Sequence, residues 1–190
     1  GEAAKRNLIT FDEQISKAVE LLRHNPEIRD RYGAKWDYIM ADEYQDVSKT
    51  DAELLYLLTD AGKGNLMCVG DTDQAIYAFR EKDCGEQLYS LPVKYPGCAT
   101  VFMNDNFRSA EKILKASSLL IANNPGRMEC GINAHKPEGS RPVFKGKYKM
   151  EQLPGIIRQL ILKGYCLGDI GILARYNRTL FHASDILNAQ

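Results

Sequence analysis

One stretch decides the fold class: positions 36 to 46 read Trp36-Asp-Tyr-Ile-Met-Ala-Asp42-Glu43-Tyr44-Gln45-Asp46. Its first half is mostly apolar and predicts a short, largely buried strand that ends at Ala41. Two adjacent carboxylates, Asp42 and Glu43, follow directly. In an open α/β sheet, ligands bind at the carboxyl ends of the strands. The stretch therefore predicts a strand that delivers two carboxylates to a ligand site.

Helices and strands alternate on both sides of this stretch. Thr10 to Glu13 is a capping box, and the helix that it begins carries Phe11, Ile15, Val19 and Leu22 at helical spacing until Asn25-Pro26 interrupts it. The other predicted elements are a helix capped at Ser48, a strand at 66–70, a strand at 101–103, a helix from Ser109, an exposed loop at 127–141, a strand at 142–145, a helix at 151–163, a strand at 170–174 and a helix from Thr179. Such alternation predicts α/β architecture with parallel sheets flanked by helices. The irregular segment at 92–97 places a boundary near residue 100, between two incomplete α/β domains.

Two further segments carry candidate functional residues. Positions 69 to 80 read Val-Gly-Asp-Thr-Asp-Gln-Ala-Ile-Tyr-Ala-Phe-Arg, so a strand again ends in a carboxylate, Asp71. Tyr77, Phe79 and Arg80 follow, and aromatic rings with an arginine can stack on unpaired bases. Packing of the same rings into a protein core is the alternative. The third segment, 104 to 109, reads Asn-Asp-Asn-Phe-Arg-Ser and places Arg108 just before a predicted helix.

The carboxylates after the first strand suit metal-assisted hydrolysis. One carboxylate can hold Mg²⁺, directly or through water, while its neighbour activates the attacking water. The alternative for Asp42 and Glu43 is an acidic helix start, because both residue types favour first turns. The apolar strand in front of the pair favours the catalytic interpretation.

Together the three segments resemble helicase motifs II, III and IV of the UvrD/Rep/PcrA group in superfamily 1. The family patterns are D-E-[YF]-Q-D, V-G-D-x-x-Q-[SA]-I-Y-x-[FW]-R and N-Y-R-S, in this order and spacing. Further similarity lies at 11–13, 121–127 and 168–177, so the resemblance covers nearly the whole chain. It implies parts of two RecA-like P-loop NTPase domains. Residues 1–100 would be the C-terminal part of the first motor domain, with motifs II and III, and residues 101–190 the N-terminal part of the second, with motif IV.

The resemblance also implies a role for each matching residue. Asp42 would bind the Mg²⁺ that accompanies ATP, Glu43 would activate the hydrolytic water, and Gln74 would sense the γ-phosphate. Phe107 would stack on adenine, although the family often has tyrosine there, and Arg108 would act as an arginine finger. The residues implied to contact single-stranded DNA are Tyr77, Phe79, Arg80, Arg175 and Asn177. The implied partners are ATP, single-stranded DNA and duplex junctions, with travel from 3′ to 5′.

Two departures from the family pattern qualify these expectations. No G-x-x-x-x-G-K-[ST] phosphate loop is present, because Gly62-Lys63 is followed by Gly64 and Gly146-Lys147 by Tyr148. The phosphate loop should precede residue 1, so we expect this piece alone neither to hydrolyse ATP nor to unwind DNA. In the second departure, charged residues at 81–83 replace the Gly-Ala that commonly follows the motif III arginine.

Composition leaves the helicase interpretation and two rivals open. Twenty-five basic and twenty-five acidic residues give no net charge, which argues against a purely electrostatic DNA partner. Five scattered cysteines suit reduced thiols in the cytoplasm, and no apolar run is long enough to span a membrane. The clustered carboxylates could instead form a metal-dependent nuclease site, but a nuclease gives no reason for Gln74, Phe107 or Arg108. The absent phosphate loop also fits a non-catalytic binding module derived from a helicase.

Overall fold

The computed structural model describes residues 9–76, 86–124, 127–128 and 130–189. Within these residues, helices and strands alternate along the chain. The helices are α1 (Phe11–His24), α2 (Pro26–Gly33), α3 (Lys49–Ala61), α4 (Glu86–Lys94), α5 (Glu111–Ile121), α6 (Leu153–Leu162) and α7 (Asn177–Asn188). The strands are β1 (Ile39–Ala41), β2 (Leu66–Cys68), β3 (Asp105–Ala110) and β4 (Asn133–Lys136). Single 3₁₀ turns lie at Tyr44–Asp46, Thr72–Gln74, Met150–Gln152 and Leu167–Asp169.

Two parallel strand pairs confirm the predicted α/β class. β1 pairs with β2 in the register Ile39↔Leu66 to Ala41↔Cys68, and α3 connects the two strands. β3 pairs with β4, starting at Asp105↔Asn133, and α5 connects them. Parallel strands need such a crossover because the chain must return to the same end of the sheet. The two strand–helix–strand units are what part of a RecA-like domain is expected to contain.

Helices α1 and α2 pack against α3 beside the first strand pair. The Thr10 backbone N–H and hydroxyl donate to the Glu13 carboxylate at 3.1 and 3.0 Å, so α1 begins at the predicted capping box. Val19 and Leu22 are buried as expected, but Phe11 is 89% exposed because the first turn of α1 extends beyond the packed surface. At the end of α2, a Cβ on Gly33 would lie 2.8 Å from the Ala61 carbonyl carbon. Only glycine therefore allows α2 to approach α3 this closely.

The strand predicted at 36–41 is shorter and more exposed than expected. Only Ile39–Ala41 form β1, while Trp36 is 50% and Met40 72% exposed. The reason is that β1 has a single strand neighbour within the described residues, and the side of the sheet that bears Met40 has little packed on it. Apolar composition identified the strand but not how much of its surface the fold covers.

Beyond residue 100, several predicted elements are absent or displaced. Ser109 lies in β3 rather than at a helix start, and α5 begins at Glu111. The predicted loop at 127–141 contains β4. Among the described residues, no strand forms at 101–103, 142–145 or 170–174. A strand is stable only when another segment accepts its backbone hydrogen bonds, and an apolar run does not reveal whether such a segment exists.

By compactness the chain falls into two units, Gly1–Ser140 and Arg141–Gln190. The first unit contains both strand pairs, and the second contains α6 and α7, which pack together. These two compact units differ from the two predicted motor domains. The motor-domain boundary near residue 100 stays a prediction.

Candidate functional site

The segments that follow β1 and β2 lie side by side. Pairing continues past both strand ends: Val69 N–H donates to the Ala41 carbonyl at 2.8 Å, and Tyr44 N–H donates to the Val69 carbonyl at 2.8 Å. Asp42 and Glu43 follow β1 and Asp71 follows β2, so the strand pair brings the predicted carboxylates to one edge. Asp42, Glu43 and Asp71 are all exposed there. A ligand can therefore reach each of them from solvent.

The Asp42–Glu43 backbone makes a sharp turn at the end of β1. Glu43 adopts φ 49° and ψ 43°, the left-handed region that non-glycine residues seldom enter. The Asp42 Oδ1 accepts a hydrogen bond from the Glu43 N–H at 2.9 Å, which stabilises the turn. Left-handed backbone costs roughly 1–2 kcal/mol at a residue with a side chain. Surrounding contacts must offset that cost, and Gln45 supplies one of them to the Glu43 side chain.

Gln45 joins the two strand ends, and the sequence did not single it out. Its side chain is 2% exposed. The Gln45 Nε2 donates to the Glu43 Oε2 at 2.7 Å, and the Gln45 Oε1 accepts from the Asp71 N–H at 3.0 Å. In the sequence, Gln45 is only one position of the motif II pattern. A polar side chain in a 3₁₀ turn gives no local signal that it will be buried between two strands.

The Asp71 carboxylate connects this hydrogen-bonded pair to Gln74. Its Oδ2 accepts from the Gln74 Nε2 at 2.9 Å, and its Oδ1 accepts from the Asp73 N–H at 2.9 Å. A chain of hydrogen bonds thus runs from Glu43 through Gln45 and Asp71 to Gln74. The residue predicted to activate the hydrolytic water and the residue predicted to sense the γ-phosphate are therefore linked through one buried amide.

Tyr44, which follows Glu43, is buried and contacts a second tyrosine, Tyr56. Tyr44 is fully buried, and its hydroxyl donates to the Tyr56 hydroxyl at 3.1 Å. Burial raises the pKa of Tyr44, and the hydrogen bond with Tyr56 raises it further. Burial also raises the pKa of the neighbouring Cys68 thiol to about 11. Both groups stay neutral at physiological pH, as a protein core requires.

Phe107 and Arg108 lie on the exposed part of β3. The Asn106 Oδ1 accepts from the Arg108 N–H at 3.0 Å, which fixes the backbone under Arg108. The Phe107 ring stacks on the His135 ring with centroids 4.4 Å apart and planes at 22°. The His135 Nε2 lies 2.8 Å from the Asp105 Oδ1, and this contact is the main cause that lowers the pKa of Asp105. One face of Phe107 is thus occupied, which leaves the other face for a planar ligand.

The remaining candidate residues lie elsewhere. Tyr77, Phe79 and Arg80 lie outside the described residues. Arg175 and Asn177 lie in the second compact unit, where Asn177 begins α7 and the Arg175 guanidinium is 5.9 Å from the Tyr176 ring centroid. Their contacts with DNA stay predictions. No helix of the described part of the chain is long and apolar enough to cross a membrane.

The carboxylates fit a magnesium ion that is held mostly by other groups. No three His, Cys, Asp or Glu residues gather into a metal-binding group within the described ranges. Mg²⁺ often uses only one or two carboxylates and takes its other ligands from water and substrate phosphates. The Asp42 carboxylate is exposed and engages Glu43 N–H through Oδ1, so Oδ2 is left for a metal-bound water. The donor set fits this mode of binding.

Comparison with known proteins gives a family match for the part of the chain that contains this candidate site. Residues 2–89 match the model of the UvrD/REP helicase N-terminal domain. These residues belong to that helicase family. The matched region contains Asp42, Glu43, Gln45 and Gln74, and hence the whole hydrogen-bonded chain described above.

Similarity to curated helicases extends beyond this region. "ATP-dependent DNA helicase PcrA" of Staphylococcus aureus (strain Mu50 / ATCC 700699) is 31% identical over 180 residues, 93% of this chain and 24% of that protein. The protein of the same name from Staphylococcus epidermidis (RP62A) is 35% identical over 180 residues, with the same coverage. YjcD of Bacillus subtilis (strain 168) is 29% identical over 171 residues, 88% of this chain and 22% of that protein. The chain thus spans about a quarter of the length of these relatives, 24% of PcrA and 22% of YjcD.

Proposed function

We propose that this chain is part of a DNA motor that couples ATP hydrolysis to 3′-to-5′ movement on single-stranded DNA and to duplex unwinding. The observation that carries the proposal is the buried Gln45 amide, which connects Glu43 to the turn that bears Gln74. A hydrolytic base and a γ-phosphate sensor must act together, and here they share one hydrogen-bonded chain. Membership of residues 2–89 in the helicase family supports the same assignment.

The roles follow from position and chemistry. Glu43 is the base that takes a proton from the attacking water, and Gln45 holds its carboxylate. Asp42 would hold the Mg²⁺ that accompanies ATP, and this ion would offset the negative charge of the phosphates. The Gln74 amide would recognise the γ-phosphate. Phe107 would stack on adenine with the face that His135 does not cover, and Arg108 would stabilise the charge that develops on the transferred phosphoryl group.

Movement would follow from loss of the γ-phosphate contact. Release of the ligand by Gln74 would allow the turn at 72–74 to change its hydrogen-bond partners. Tyr77, Phe79 and Arg80 follow this turn closely in the sequence. These residues would grip single-stranded DNA. ATP turnover would therefore alter the DNA grip a few residues away, as in other nucleotide-driven switches. Arg175 and Asn177 would supply a second grip, and the motor would act in the cytoplasm on junctions between single-stranded and duplex DNA.

Replacement of Glu43 tests the proposed chemistry. In the whole natural protein that contains these residues, Glu43→Gln should lower the kcat of DNA-stimulated ATP hydrolysis by about 10²-fold or more, because a general base contributes roughly 10²–10⁴-fold. The affinity for ATP should stay nearly unchanged. The control is Glu27→Gln, which makes the same chemical change on the exposed surface of α2. Full turnover by the Glu43 variant would refute the assignment.

The isolated chain provides a second test. No phosphate loop occurs in its sequence, so we expect the purified 190-residue chain to show no DNA-stimulated ATPase and no unwinding of a tailed duplex. The whole natural protein, assayed alongside, should show both, and duplexes with a 3′ or a 5′ single-stranded tail would report the direction of travel. ATPase activity of the isolated chain would contradict this expectation. A binding module would instead bind DNA without turnover in either form.

A further inference from the structure

Arg127 and Asp73 form the least exposed ion pair among the described residues. The Arg127 Nε donates to the Asp73 Oδ1 at 3.1 Å, and its NH2 group donates to the Asp73 Oδ2 at 2.6 Å. The two side chains are 18% and 16% exposed, whereas each of the other described ion pairs has at least one side chain more than half exposed. A two-point contact of this kind fixes direction as well as distance. Arg127 therefore holds the Asp73 carboxylate in one orientation.

The pair connects two segments that sequence analysis assigned to different motor domains. Asp73 lies in the 3₁₀ turn Thr72–Gln74, directly before Gln74. Arg127 lies 54 positions later, after α5. The chain that leads to Arg127 starts with β3, which carries Phe107 and Arg108. Through this contact, the turn that bears the predicted γ-phosphate sensor is tied to the segment that bears the predicted adenine and γ-phosphate contacts.

The charges in the turn explain why a cation is needed there. Asp71 and Asp73 place two carboxylates within three residues, and Asp71 already accepts hydrogen bonds from Gln74 and from the Asp73 N–H. A mostly buried Asp73 carboxylate without a cation would be strongly unfavourable. It would be driven to rotate towards solvent or to compete with Asp71 for the Gln74 amide. Arg127 removes both tendencies, so the Gln74 amide keeps a single partner.

We propose that Arg127 is a positioning residue for Gln74: by holding Asp73, it sets the turn in the geometry that recognises a γ-phosphate. This inference rests on the proposed function, because it assumes that Gln74 meets the γ-phosphate. It assigns to Arg127 no contact with nucleotide or DNA. Its effect should therefore be confined to nucleotides that have a γ-phosphate.

The test compares two nucleotides in the whole natural protein. We expect Arg127→Gln and Asp73→Asn each to lower the ratio of affinities for a non-hydrolysable ATP analogue over ADP by about tenfold, in line with the usual size of a coupling between sites. Affinity for ADP alone should not change, since ADP lacks the γ-phosphate. Arg141→Gln, a neutralised arginine at an exposed position, is the matched control. If Arg127 had a merely structural role, its replacement would lower the affinities for both nucleotides together.

Two further variants keep the test decisive if Arg127→Gln does not fold. Arg127→Lys keeps the charge but gives up the two-point contact, so its ratio should lie between those of the wild type and Arg127→Gln. The exchange Asp73→Arg with Arg127→Asp should restore part of the ratio that either single change removes. Wild-type ratios in both Arg127→Lys and Asp73→Asn would overturn the proposal. If the wild-type protein itself had no DNA-stimulated ATPase, the proposed function would fail; if only the ratio were insensitive, the inference about Arg127 alone would fail.

Discussion

Replacement of Gln45 gives the most discriminating prediction about the site. Gln45→Leu keeps a side chain of similar volume in the buried position but removes both the donor to Glu43 and the acceptor for the Asp71 N–H. Gln45→Glu is closer still in shape. It keeps an acceptor for the Asp71 N–H and replaces the donor with a carboxylate that faces Glu43. Gln45→Leu therefore tests the loss of both contacts. Gln45→Glu tests the replacement of the donor to Glu43 by a carboxylate.

The expected size of the effect follows from burial. The Asp71 N–H is part-buried and would lose its partner in Gln45→Leu, which costs about 1–3 kcal/mol. Glu43 is exposed, so water can replace the lost donor and adds little to this cost. We therefore expect the free energy of unfolding of Gln45→Leu to fall by about 1–3 kcal/mol, with no dependence on pH between mildly acidic and neutral conditions.

Gln45→Glu should behave differently because its effect depends on protonation. The introduced carboxyl is buried beside the Glu43 carboxylate, and both circumstances raise its pKa in the folded state. A carboxyl whose folded pKa is raised is stabilising below its unfolded pKa of about 4.3, and this stability is lost as the pH rises through the folded pKa. When protonated, it can donate to Glu43 as Gln45 does. The variant should match the wild type near pH 4 and be clearly destabilised near pH 7.

Urea denaturation of the chain at the two pH values measures these effects. The fluorescence of Trp36, the only tryptophan, reports on the segment just before β1. Gln14→Leu and Gln14→Glu make the same changes at an exposed position of α1 and serve as controls. The reasoning would be refuted if Gln45→Leu unfolded at the wild-type urea concentration, or if the destabilisation by Gln45→Glu were equal at both pH values.

Three further predictions concern the surroundings of the site. Gly70→Ala should lower the free energy of unfolding by about 1–3 kcal/mol, because its Cβ would lie 2.8 Å from the Gln45 Oε1; urea denaturation against Gly97→Ala, where nothing lies within 4 Å, checks this. Iodoacetamide near neutral pH should label the half-buried Cys68, whose pKa is raised to about 11, far more slowly than the exposed Cys98. Mass spectrometry measures the labelling, and the two cysteines should be labelled equally in urea. Ser48→Ala removes the Ser48 hydroxyl, which caps α3 by accepting a hydrogen bond from the Asp51 N–H at 3.1 Å. The free energy of unfolding should fall by about 1 kcal/mol in the same denaturation assay.

Local chemistry explains what the sequence could predict. The capping boxes at Thr10 and Ser48 determine where α1 and α3 begin, because each satisfies backbone donors within a few residues. The β1 and β2 cores follow from short apolar runs that end at carboxylates. Since adjacent parallel strands end at the same edge, the proximity of Glu43 to Asp71 follows from the strand pairing. The capping boxes and the apolar runs require no knowledge of a distant contact, whereas the pairing of β1 with β2 joins distant positions and was not predicted.

Distant contacts explain what the sequence could not predict. β4 lies in a polar, exposed segment and forms because β3 offers its backbone a partner. Pairing of Arg127 with Asp73 joins positions 54 residues apart. Both residue types are ordinary on protein surfaces, and nothing in their neighbours indicates a partner so far along the chain. Such contacts are properties of the folded arrangement, and local periodicity carries no information about them.

The chemistry of Gln45 restricts which side chains could take its place. The position requires a donor towards the Glu43 carboxylate and an acceptor for the Asp71 N–H. Lysine and arginine have no acceptor, and an ionised glutamate has no donor, so each can make only one of the two contacts. A charged side chain would also be costly in a position that is 2% exposed. Asparagine offers both groups on a side chain that is shorter by one methylene. Because Asp71 and Glu43 follow different strands, the shorter side chain would have to span the same distance between them. A neutral amide with the reach of glutamine meets all of these requirements, so the link between Glu43 and Gln74 depends on this residue type.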